Sequence, residues 1–111
     1  MAVRPVAAVE GVQLTTSTAT YYTATNKKFT IDKATVTNTT AGAVTFDLYL
    51  VPTGGSAGAT NQLYKTQSVA SNASLTLDAI IGHTLENGGT IQAVASAATS
   101  LALRISGREV T

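Results

Sequence analysis

One histidine and six carboxylates hold all the side-chain acid–base chemistry this chain could run near neutral pH. His83 would need a hydroxyl nucleophile on one ring nitrogen and a carboxylate on the other to work as a triad base. It lies in Gly82-His83-Thr84, which reads as a loop beside a turn. The expected role is therefore non-catalytic. The carboxylates are Glu10, Asp32, Asp47, Asp78, Glu86 and Glu109. Glycoside hydrolysis needs two of them roughly 5–10 Å apart across a cleft. Asp32 and Asp47 would meet only if their strands paired. Lys33 and Arg104 are equally good salt-bridge partners, so solvated or paired carboxylates are expected.

The other site chemistries fare no better. One His and no Cys make a poor zinc set. No Asp-x-Asp-x-Asn-Gly run marks a calcium loop. Gly54-Gly55-Ser56-Ala57-Gly58 lacks the Gly-Lys-Ser/Thr ending of a phosphate loop and reads as a flexible connection. Tyr21, Tyr22, Tyr49 and Tyr64 could stack on sugars, and Tyr49 is the best candidate for an exposed contact. No catalytic, metal-binding or cofactor-binding residue is assigned.

The elements that would position these residues are strands. From Ala43 to Val51 the chain alternates, with Val44, Phe46, Leu48 and Leu50 on one face and Thr45, Asp47 and Tyr49 on the other. Pro52 ends that strand because it cannot donate a ladder hydrogen bond. Phe29 to Asn38 is a second strand whose phase changes midway. Phe29 and Ile31 share one parity, Ala34 and Val36 the other, so a bulge is expected near Asp32-Lys33. Asn38 to Gly42 reads as a hairpin turn into the next strand. Gln13 to Thr25, Gln62 to Val69 and Ser74 to Leu77 hold further strand signals. Asn87-Gly88-Gly89 is a turn, because Asn and Gly tolerate positive φ. Thr90 to Ala95 and Leu101 to Ile105 follow, the latter closed by Gly107. Ala-rich Ala93 to Ala102 has helix propensity, but its Thr and Ser flanks favour a hairpin. Turn signals about every 8–12 residues point to a sandwich or barrel.

The length of 111 residues fits one domain. The expectation is an all-β, single antiparallel β-sandwich, jelly-roll-like, over residues 12–111, with residues 1–11 as an N-terminal arm. Charged residues are 12% of the chain, about half the usual share, so its surface is cheap to desolvate and suits lasting contact with neighbours. Thr, Ser and Asn supply the polarity instead. A net charge of +1 offers no basic stripe for nucleic acid. The first residues lack the apolar run of a signal peptide, and no segment is long enough to span a membrane. Absence of Cys favours assembly in a reducing cytoplasm.

Three segments carry a resemblance when taken in order. They are Phe46-Asp47-Leu48-Tyr49-Leu50-Val51-Pro52-Thr53-Gly54-Gly55, Gly82-His83-Thr84-Leu85-Glu86-Asn87-Gly88-Gly89-Thr90-Ile91-Gln92-Ala93, and Leu103-Arg104-Ile105-Ser106-Gly107-Arg108-Glu109. From about Val12 to Val110 the chain resembles small β-sandwich proteins encoded among tailed-phage structural genes. The resemblance implies a virion component without enzymatic activity, such as a capsid cement (decoration) protein. It implies the major capsid protein as partner, a homo-oligomer (trimer), a place on the capsid surface and assembly in the host bacterial cytoplasm. A tail or fibre component is the alternative within that class. A carbohydrate-binding module and a small hydrolase are alternatives of other classes. Candidate partner contacts are Val3, Arg4, Pro5 and Val6 in the arm, and Tyr49.

Overall fold

The computed structural model describes residues 3–111. Among them are nine strands: β1 (Val3–Gln13), β2 (Ala19–Thr23), β3 (Lys28–Asn38), β4 (Val44–Val51), β5 (Gln62–Val69), β6 (Ser74–Thr76), β7 (Thr84–Leu85), β8 (Thr90–Ala95) and β9 (Leu101–Val110). A single 3-10 turn, Asp78–Ile80, separates β6 from β7. One sheet runs β1-β9-β3-β6, with β7 also on β3, and the other runs β2-β8-β4-β5. All pairings are antiparallel. The pairs are nested, first strand with last, second with second-last, inward to β4 with β5. A long hairpin rolled onto itself gives this order, which is the jelly roll.

The core lies between the sheets and follows the period of two. On β9 the inward row is Leu101, Leu103, Ile105, Gly107 and Glu109, all buried. Val44, Phe46 and Leu48 face it from β4, with Ile91, Ala93 and Ala95 from β8. The phase change in β3 is a bulge between Ile31 and Lys33, where the sequence places it, and it keeps Phe29, Ile31, Ala34 and Val36 all inside.

Two expected hairpins are instead crossings between sheets. β3 lies in one sheet and β4 in the other, so Asn38–Gly42 spans the sandwich. Asn38 makes that crossing a staple. Its buried amide donates to the carbonyls of Gly42 (2.8 Å) and Val69 (3.0 Å), and its Oδ1 accepts from the Thr40 N–H (2.9 Å). Val69 belongs to the opposite sheet, so one side chain ties both layers. The Ala-rich stretch likewise links β8 to β9 across the layers. Turn residues specify a reversal of the chain and carry no information about which sheet the next strand joins.

Residues 1–11 do not form a separate arm over their described part. β1 starts at Val3, pairs with β9 from Val3↔Val110 to Gln13↔Ala102, and crosses the expected boundary at residue 12 without interruption. Bulges between Ala7 and Val9 and between Glu10 and Val12 hide it from a period-two reading. They put residues three apart, Val6, Val9 and Val12, opposite Gly107, Ile105 and Leu103, the core-facing positions of β9. Gly107, expected to close the last strand, sits inside it. A Cβ there would meet the Thr30 carbonyl oxygen and come within 2.7 Å of the Phe29 ring, so only glycine lets β3 and its aromatic ring approach.

Candidate interaction surfaces

The first candidate contacts lie together at the start of edge strand β1. Val3 is 58% exposed, the most exposed large hydrophobic residue among the described ones. Pro5 is exposed opposite Arg108, and Val6 is half-buried against the core opposite Gly107. Arg4 is bound inside its own chain: its guanidinium donates to Glu109 Oε1 at 2.7 Å. Glu109 is buried at the end of the inward row of β9 and accepts two further bonds, from Tyr22 Oη (2.9 Å) and Lys27 Nζ (3.2 Å). Three chain segments thus converge on one carboxylate of a fourth. The Arg4 guanidinium, with Tyr22 and Lys27, holds that carboxyl down at about 2 against the opposing effect of burial. Burial, then the neighbouring carboxylate, push the Tyr22 hydroxyl upward. The cluster clamps the beginning of β1 to the sandwich.

The two outer faces differ in charge. Along β1, β3 and β9 the outward positions carry Lys28, Lys33, Arg104 and Arg108 with Glu10 and Asp32. Arg108 grips Asp32 through Nε and Nη2, at 3.0–3.2 Å. Strands β2, β4 and β8 hold a single charged residue, Asp47, whose Oδ1 accepts the Thr66 N–H at 2.5 Å. Tyr49 lies on this second face, half-buried between its cross-strand partners Gln62 and Gln92. It shares no surface with the start of β1. Gln62 Nε2 donates to its hydroxyl at 3.4 Å. The tyrosines do not gather into a platform. Tyr22 packs on Phe29 and Tyr64 on Phe46, with ring centroids 4.7 and 5.5 Å apart. The hydroxyls of Tyr21 and Tyr64 accept backbone N–H groups of Thr15 and Ala79.

Asp32 and Asp47 sit in different sheets, so strand pairing does not bring them together. Arg108, and neither Lys33 nor Arg104, is the partner of Asp32. His83 lies on the rim of an open cleft of about 360 Å³ between the ends of β4 and β5 and strand β7. The cleft floor is apolar, with Leu50, Pro52, Leu63 and Leu85, and its rim adds Thr60, Thr84 and Glu86. No serine lines it. Among the described residues no group of three His, Asp or Glu is placed to hold a metal ion. No helix there is long and apolar enough to cross a membrane.

The Glu109 cluster and the cleft are the features sequence reasoning missed. The first had a signal: continuing the parity of Leu101, Leu103 and Ile105 puts Glu109 inside. The second is assembled from segments far apart in the chain and has none.

No protein-family model matches the chain, and no curated protein matches it. Among solved structures it is similar to a chain in the structure of infectious bursal disease virus, Gx strain. The TM-score is 0.57 at 14% identity, over 97% of this chain and 32% of that one. This chain therefore spans about a third of the neighbour's length, and the likeness is one of fold.

Proposed function

We propose that this protein is a non-enzymatic structural component of a tailed-phage virion, a cement protein that binds the major capsid protein and stabilises the shell. The observation that carries the reading is the jelly roll itself, which matches a chain from a virus structure over 97% of this sequence. The faces fit the task. A sheet whose strands carry only Asp47 and, on edge strand β5, Lys65 loses little on desolvation against a protein shell. A homo-oligomer, a trimer in the proposed form, touches several shell subunits at once and gains by effective concentration, so each contact can be weak.

The test is co-sedimentation of the purified protein with shells of its own phage that lack it. Saturable binding at a fixed ratio to the shell protein is the expected result. A folded protein that stays in the supernatant at every concentration contradicts the shell reading and transfers the proposal to the tail or fibre.

A further inference from the structure

The start of β1 and the cleft lie on opposite edges of one sheet and at the same height. Arg4, Glu109, Phe29 and Leu85 form one cross-strand row, and Pro5, Arg108, Thr30 and Thr84 form the next. On the other side, Val3, Val110 and Lys28 are successive partners. Lys28 Nζ reaches Glu86 at 3.4 Å, which continues that row to the cleft. Val3–Pro5 and Thr84–Glu86 are thus level, about 14 Å apart at the usual strand spacing.

We infer that the cleft seats the Val3–Pro5 segment of a second copy of this chain, so that protomers close head to tail into a ring. The surfaces complement each other. Val3 and Pro5 are exposed apolar residues on one edge, and the other edge offers an apolar floor at Leu50, Leu63 and Leu85. Arg4, between Val3 and Pro5, keeps its side chain 66% exposed despite its bond to Glu109. The acidic residue lining the cleft is Glu86, opposite in sign and 69% exposed despite its pair with Lys28, so a neighbour's Arg4 would share it. A contact between two different patches makes a ring when its rotation closes and a filament when each step also rises. Patches level along the strands give no rise in that direction, as the closed homo-oligomer of the reading above requires, and an open filament would contradict it. This deepens the oligomer part of the reading above and rests on it, while shell binding is measured separately.

The natural chain has no cysteine, so single-cysteine variants report contacts cleanly. Val3→Cys and Thr60→Cys proteins, full length, are mixed under mild oxidation. A disulfide requires the two Cβ atoms to come within roughly 4.5 Å. The expected result is at least about fivefold more disulfide dimer in the mixture than in either variant alone, as a two-patch contact requires. A chain carrying both substitutions gives a ladder that stops at the ring size. Val3→Glu changes a side chain exposed in the single chain, so at concentrations where the protein is monomeric it leaves the melting midpoint in place. It should raise the concentration at half-association about tenfold or more in sedimentation velocity, the cost of a charge in an apolar contact. Equal disulfide yields in all three samples, or a Val3→Glu protein that associates like the natural one, overturn the inference. A monomer that still sediments with shells overturns the ring alone, and a ring that ignores shells overturns the shell reading alone.

Discussion

Replacing Glu109 by Gln keeps the side chain's shape and removes its charge. The buried carboxylate accepts bonds from Arg4, Tyr22 and Lys27. Charge-assisted hydrogen bonds are roughly twice as strong as neutral ones, so each of the three weakens. Arg4 re-solvates at little cost because it is 66% exposed, whereas Lys27, at 24%, stays partly buried without a counter-ion. Breaking a buried pair from one side costs about 3–5 kcal/mol, and the exposure of Arg4 reduces this to about 2–4 kcal/mol. For a domain of this size that lowers the melting midpoint by roughly 6–15 °C at neutral pH. The acid limb adds a second readout. The folded pKa of about 2 lies below the ordinary 4.5, so the carboxylate's contribution is complete above about pH 4.5. It is lost as pH falls from there towards 2, since the unfolded chain then binds the proton more readily. Circular-dichroism melts from pH 7 to pH 2.5 should therefore converge for the two proteins at the acid end. A Gln variant that melts within 2 °C of the natural protein at pH 7, or two parallel acid limbs, would refute the clamp.

The alternation in β4 predicts unequal damage from adjacent substitutions. Phe46→Asp puts a charge where the side chain is 2% exposed and should abolish the cooperative melt, while Thr45→Asp on the outer face should cost less than about 1 kcal/mol. Equal destabilisation in urea titrations would contradict the assignment of faces. Gly107→Ala drives a methyl into the Thr30 carbonyl and the Phe29 ring, and the ladder prevents retreat. It should cost about 3 kcal/mol by urea titration, and a loss under 1 kcal/mol would show that β3 and β9 can part there.

Where the period of two is unbroken, the sequence is enough to place the strand. Val44 to Leu48 and Thr90 to Ala95 alternate without interruption, and Pro52 and Asn87-Gly88 punctuate their ends. One bulge was legible because large apolar residues flank it on both sides, Ile31 before and Val36 after. In β1 two bulges within six residues turn Val6, Val9 and Val12 into a spacing of three, which matches no strand template, and only pairing with β9 restores sense to it. Sheet membership was not legible at all. Asn38–Gly42 has the chemistry of a hairpin, and its role as a crossing depends on Val69, more than thirty residues away. Of the candidate contacts, Val3 and Pro5 are free on the surface. Arg4 is taken up by a carboxylate more than a hundred residues distant in the chain, a pairing that no local pattern contains.

The claim that this jelly roll cements a shell is tested most directly by shell stability. Under the proposed reading, shells of the phage that encodes it, prepared without the protein, are heated with and without it, and the temperature at which they release their DNA is recorded. Ligands that bind only the intact state raise its stability with concentration, so the release temperature should climb and then level off once the sites are filled. A release temperature unchanged at saturating protein would contradict the account, even if the protein adheres to the shells.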